Sequence, residues 1–143
     1  MNDILIENEI TLQLDKIICG NAVDIMDQMP KYSIDLTVTS PPYDELRDYN
    51  GYDFDFKSIA KGLFKVTKKG GVVVWVVNDA TINGSETLTS FKQAIYFREN
   101  CGFNLHDTMI YRKQFYLPLT HNRYEQEFEY MFVLSKGQPK TFN

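Results

Sequence analysis

The run Val72-Val73-Val74-Trp75-Val76-Val77 constrains this chain more than any other segment. Gly70-Gly71 precedes it and Asn78-Asp79 follows it. A strand that is apolar at successive positions has no polar face to turn to water, so it is expected to be covered on both faces. The run is far too short to span a bilayer. It therefore reads as a strand of a sheet with helices on its faces.

The segments around it support an α/β order. Residues 10–19 read as a strand region with a break near Asp15, ended by Gly20-Asn21. Asn21 is placed to cap a helix over residues 22–29, in which Val23, Met26 and Met29 share a face, and Pro30 stops it. Residues 34–39 read as a second strand, with Ile34, Leu36 and Val38 alternating with Asp35 and Thr37. Pro41-Pro42 ends that strand, because neither proline has an N–H for a ladder. Residues 44–53 form a polar, Tyr- and Asp-rich loop.

A helix is expected over residues 55–68, with Phe56, Ile59, Ala60, Leu63 and Val66 on one stripe. Asp53 or Asp55 caps it, Gly70 takes its left-handed stop, and Gly62 marks a local cost or a close-packing site. Residues 78–87 read as a loop and residues 88–100 as a helix ended by Gly102. Two strands follow, over residues 105–113 and 127–135, with no helix between them. They are expected to form an antiparallel pair at one edge of the sheet. Ligands in such sheets bind beyond the carboxyl ends of the strands. Gly20-Asn21, the segment from Ser40 to Tyr43, and Asn78-Asp79 would then share one rim.

Composition narrows the function classes. The 143 residues are 43% hydrophobic and 24% charged, which suits one globular domain. A net charge of −4 argues against a large basic face for nucleic acid within this chain. Cys19 and Cys101 form no CxxC pair, and with His106 and His121 far apart no metal-binding pattern is present. The two cysteines read as buried reduced thiols of a cytoplasmic protein. The first nine residues have no basic stretch followed by an apolar one, so no signal peptide is read and no membrane association is expected.

Asp35-Leu36-Thr37-Val38-Thr39-Ser40-Pro41-Pro42-Tyr43 resembles the catalytic motif of the DNA methyltransferases that modify exocyclic amino groups. Further segments resemble the same family in the same order: Gly20-Asn21, Val66-Thr67-Lys68-Lys69-Gly70-Gly71, Gly102-Phe103, and the segment from Glu129 to Gly137. The resemblance covers about residues 16–137 and fits the permuted class that begins with the catalytic motif. It implies a partial Rossmann-like α/β fold with an antiparallel strand pair at one edge. It also implies methyl transfer from S-adenosylmethionine to cytosine N4 or adenine N6 of DNA, as in restriction-modification, in a cytoplasm of bacterial, archaeal or phage-directed origin. Ser40, Pro41, Pro42 and Tyr43 are the catalytic residues so implied. Asn21 and Ser40 are the candidates for cofactor contact, although the family usually has Asp at the position of Asn21.

The chemistry accounts for those residue types. An aromatic amino group is a poor nucleophile because its lone pair is delocalised into the ring. Acceptors aimed at its hydrogens localise and orient that pair, and the Ser40 hydroxyl and Pro41 carbonyl are two such acceptors. The prolines stiffen the loop before substrate arrives. Tyr43 offers a flat face for an extruded base, worth about 1–3 kcal/mol. No metal is required. Arg112, Lys113, His121 and Arg123 flank the longest connection and are candidates for phosphate contact.

No Gly-x-Gly occurs anywhere in the chain, whereas the family's cofactor turn is a Phe-x-Gly-x-Gly. The expectation is therefore a single domain corresponding to the catalytic half, with an incomplete cofactor pocket. It would be completed by a missing C-terminal half or a complementing chain, and its exposed sheet edge would invite self-association. A non-catalytic remnant that binds a partner or nucleic acid is the alternative.

Overall fold

The computed structural model describes residues 14–42, 54–114, 122–124 and 126–140. Four strands form the main sheet, in the order β1-β2-β6-β5. Here β1 is Ile34–Thr39, β2 is Thr67–Val77, β5 is Asn104–Arg112 and β6 is Phe128–Ser135. A two-residue-stranded hairpin, β3 (Thr81–Ile82) and β4 (Ser85–Glu86), stands beyond the end of β2. Helix α1 is Ala22–Gln28, α2 is Phe56–Val66 and α3 is Thr89–Tyr96, the last running into a π-helical turn over Phe97–Cys101.

The local chemistry explains these boundaries. Asn21 accepts the Val23 N–H at 2.9 Å and starts α1, and Pro30 follows its end. Asp55 accepts the Ser58 N–H at 3.1 Å and starts α2, and hydrogen bonding from the Ser58 hydroxyl first, then from its N–H, lowers the carboxyl pKa. Gly62 is a packing site: a Cβ there would lie 2.8 Å from the Met26 Cε, so its absence lets α1 approach α2. Gly102, with φ of +93°, ends the π-helical turn.

β2 pairs parallel with β1 and antiparallel with β6, and β6 pairs antiparallel with β5. One face of this sheet carries the core. Val73, Trp75 and Val77 point there with Phe132 and Leu134, and meet Ile59, Leu63 and Val66 of α2, Ala94 of α3, and Phe97 and Phe103. Trp75 is fully buried and its indole N–H donates to the Gln93 carboxamide oxygen at 2.8 Å. The rings of Phe54, Phe56 and Phe97 pack around it.

Several sequence expectations need correction. Residues 16–19 form no strand; Ile17 and Ile18 are exposed, and no described strand lies beside them to complete a ladder. No described helix covers the second face of the sheet either. Leu36 and Val38, expected in a buried strand, are 58% and 65% exposed, and Val72, Val74, Val76, Met131 and Val133 on the same face are half-buried. Helix α2 ends at Val66 because β2 already begins at Thr67, so Gly70, with φ of +82°, turns the chain inside β2 and not at a helix end. Residues 81–86 form a hairpin and not a plain loop; the two turn residues, Asn83 and Gly84, both have positive φ. Cys19 is exposed, and Cys101 is half-buried with burial raising its thiol pKa.

Gly71 gives a direct test of this packing. A Cβ there would lie 2.9 Å from the Asp35 carbonyl oxygen and 3.0 Å from the Lys68 carbonyl oxygen, both backbone atoms that cannot swing aside. Gly71→Ala should therefore pry β1 from β2 at its base and lower unfolding free energy by about 1–3 kcal/mol. Urea denaturation of the variant against the parent checks this.

Candidate functional site

The carboxyl ends of β1 and β2 stand side by side, since Val38 pairs with Val74 and Thr39 with Trp75. Ser40 leaves β1 at this rim with its residue exposed, while Pro41 is buried and Pro42 half-buried. The strand thus anchors the turn through Pro41 and presents the Ser40 hydroxyl outward. Tyr43, His121 and the loop read over residues 44–53 lie outside the described residues. Phe56, read as core, packs against Trp75, Tyr96 and Phe97. Asn21 is exposed, with its carboxamide oxygen engaged in capping α1.

The end of β2 supplies the best-ordered polar groups of the rim. Asp79 is 6% exposed. Its carboxylate accepts the Ser90 N–H at 2.9 Å, the Ser90 hydroxyl, and the Thr87 hydroxyl at 3.4 Å. Helix α3 begins at Leu88, which is left-handed at φ of 58° and has no side-chain cap of its own. Asp79 does that work from eleven positions away. The next residue back, Asn78, forms a reciprocal amide pair with Gln126, described further below. Neither contact is visible in the sequence, because both partners are remote along the chain.

The connection between β5 and β6 begins and ends at this same rim, because β6 runs antiparallel to β2 and Val77 pairs with Tyr130. Its base is closed by the Lys113 N–H donating to the Glu127 carbonyl at 2.7 Å, and by Lys113 against Glu129 at 2.9 Å. Arg112 sits 3.8 Å from Glu127 with its side chain 83% exposed, and Arg123 is exposed. His106 is exposed beside Asp107, well along β5 from the rim. None of the described helices is long and apolar enough to cross a membrane.

Residues 34–143 match the family profile of the N6/N4 DNA methylases. The chain belongs to that family. It is 65% identical over 111 residues to the orphan methyltransferase M.BamHII of Bacillus amyloliquefaciens, an alignment covering 78% of this chain and 42% of that protein. It is 27% identical over 157 aligned positions to the type II beta methyltransferase M.BslI of Bacillus sp. strain NEB-606, covering 90% of this chain and 17% of the relative. The chain thus spans less than half the length of these curated relatives. Its fold resembles that of the cytosine-N4-specific PvuII DNA methyltransferase, with a TM-score of 0.69 at 22% identity over 85% of this chain and 49% of that one. It also resembles M1.HpyAVI, solved in complex with SAM, with a TM-score of 0.51 at 23% identity over 78% of this chain and 48% of that one. The Rossmann-like methyltransferase sheet with an antiparallel edge pair, expected from the sequence, is therefore the observed architecture.

The Asp79 clamp is testable without any substrate. Asp79→Ala leaves the Ser90 N–H and hydroxyl buried without their acceptor, since Ser90 is fully buried. Unfolding free energy should fall by about 1–3 kcal/mol. Denaturant titration of Asp79→Ala, with Glu86→Ala on the exposed hairpin as a comparison expected within about 0.5 kcal/mol of the parent, checks it.

Proposed function

We propose that this chain is the catalytic part of a DNA methyltransferase that moves a methyl group from S-adenosylmethionine to an exocyclic amino group, N4 of cytosine or N6 of adenine. The observation that carries this reading is the exposed Ser40 at the carboxyl end of β1, held there by a buried Pro41. The family membership and the N4-specific structural relative support it.

The amino group is positioned by acceptors and not by a metal or a covalent bond. The Ser40 hydroxyl accepts one amino hydrogen and the Pro41 carbonyl the other, which aims the nitrogen lone pair out of the ring plane. Pro41 and Pro42 keep these acceptors in place before the base arrives. Tyr43 gives the flipped base a stacking surface. S-adenosylmethionine, when bound, supplies an electrophilic methyl on a sulfonium. Ser at position 40 favours cytosine N4 over adenine N6.

The described rim fits that cofactor in part. It offers the exposed Ser40, and the outer edge of β1 has no neighbouring strand among the described residues; Asn21, the other residue assigned to the cofactor, is exposed with its carboxamide oxygen capping α1. Leu36 and Val38 lie exposed beside this edge. We therefore assign the remainder of the cofactor pocket to a segment outside these residues that docks along β1, from a C-terminal half or a complementing chain. The 143 residues alone should bind S-adenosylmethionine weakly or not at all. Micromolar binding of this chain in a calorimetric titration would contradict that assignment.

The catalytic reading is tested by single-turnover methylation of duplex DNA with the full-length protein. Ser40→Ala should slow methyl transfer by about a hundredfold, as when one preorganised polar partner is deleted elsewhere, with little change in cofactor affinity. Tyr43→Ala should also loosen the DNA complex, and Tyr43→Phe should be mild. Near-parental rates for both Ser40→Ala and Tyr43→Ala would mean the turn merely ends a strand.

A further inference from the structure

The reaction outlined above leaves the amide pair at the end of β2 without a task. Asn78 is 6% exposed. Its Nδ2 donates to the Gln126 Oε1 at 3.0 Å, and its Oδ1 accepts from the Gln126 Nε2 at 2.8 Å and from the Asp79 N–H at 2.9 Å. A carboxamide pair of this kind matches donor to acceptor on both sides and carries no net charge. Its strength is therefore insensitive to salt and to pH in the neutral range, unlike that of the surface ion pairs around it.

The partners belong to different parts of the rim. Asn78 continues from β2, whose neighbour β1 ends at Ser40. Gln126 stands just before β6, where the connection from β5 comes home. β6 is the second strand along from β1, and by register Ser40 stands level with Val76 and Met131, so Gln126 lies two strands across and five positions before that level. Arg112 at the end of β5 and Arg123 within the connection are exposed, and Arg112 lies 3.8 Å from Glu127. In a chain of net charge −4, these two arginines are exposed cations at the two sides of the connection that Gln126 ties to the rim.

We propose that Asn78 is a positioning residue for the nucleic-acid substrate. Through its pair with Gln126 it holds the chain entering β6 against the rim, so that Arg112 and Arg123 meet phosphates of the duplex whose base is offered to Ser40. The inference rests on the DNA methyltransferase reading above. Phosphate contacts fix a duplex in register without reading its sequence, and they place the target base. Asn78 itself touches neither base nor cofactor in this scheme, and its effect falls on substrate affinity.

The test uses the full-length protein and three changes. Asn78→Leu removes both halves of the pair at similar volume. Gln126→Leu removes it from the less buried side, which keeps the test informative if the first variant fails to fold. Asn78→Gln combined with Gln126→Asn exchanges the two side-chain lengths and restores the pair. The readouts are hydrogen exchange over residues 122–127, binding of a fluorescent DNA duplex at several salt concentrations, and steady-state methylation. Breaking the pair should speed exchange over residues 122–127 while leaving β1 and β2 protected. It should weaken duplex binding and raise KM for DNA about tenfold, flatten the salt dependence of binding by about one phosphate contact or more, and leave kcat within about twofold. The exchanged double variant should recover most of the affinity.

Unchanged exchange over residues 122–127 in both leucine variants would overturn the proposal, as would faster exchange there with unaltered DNA affinity and salt slope. Loss of protection throughout the sheet in both variants would also overturn it, by showing a structural role alone. A parent protein that binds DNA but methylates none would instead defeat the reading of function. Exchange and duplex binding would still decide the role of Asn78.

Discussion

Strand β2 is the member on which the rest of the structure depends, and the buried indole of Trp75 is its centre. Trp75 meets aromatic rings from the start of α2 and from the π-helical turn, and its N–H finds the Gln93 carboxamide on α3. Truncating a buried aromatic ring costs about 3–5 kcal/mol. The whole stability of a small domain is about 5–15 kcal/mol. One residue therefore ties both long helices to the sheet. The same strand also sets where β1 ends, because the parallel pairing of Thr39 with Trp75 puts Ser40 level with Val76, two residues before Asn78.

Two consequences follow from the one-sided core. The helices and the aromatic cluster pack against the face of Val73, Trp75 and Val77, so this face is rigid. The face of Leu36, Val38, Val72 and Val74, together with the outer edge of β1, stays open to a neighbour. Apolar side chains in that position carry a cost in water of about 25 cal/mol per Å² left uncovered. That packed face supports the turn at Ser40 and Pro41, and in the proposed function the open side leaves room for the remaining wall of a cofactor site. Order at the rim comes from buried side chains instead of from the short turn itself: Asp79 secures α3 and the hairpin, and Asn78 secures the approach to β6.

Much of this was legible in the residues. The bounds of β1 follow from alternation stopped by two prolines, and α1 and α2 from Asn21 and Asp55 as caps before apolar stripes. The antiparallel pair at the edge follows from two strands with no helix between them. Burial was less legible. Val72 to Val77 read as covered on both faces, and the alternating Ile34, Leu36 and Val38 as a buried strand, because apolarity records where a residue is meant to be buried, and not which described segment covers it. Residues 16–19 failed as a strand for the same reason, since pairing needs a neighbour. The hairpin was announced by Asn83-Gly84, a turn signal strong enough to have been used. At the site, Ser40 and Pro41 stand where the motif placed them, whereas the contacts of Asn78 and Asp79 span 48 and 11 positions and leave no local trace.

The central claim concerns which atom of DNA receives the methyl group. The most direct measurement incubates duplex DNA with the full-length protein and S-adenosylmethionine carrying a deuterated methyl group, digests the DNA to nucleosides and identifies the labelled species by mass spectrometry. The account predicts label on an exocyclic nitrogen, as N4-methylcytosine or N6-methyladenine. Label on carbon 5 of cytosine would contradict it, because that reaction needs a covalent nucleophile and not the paired acceptors of Ser40 and Pro41.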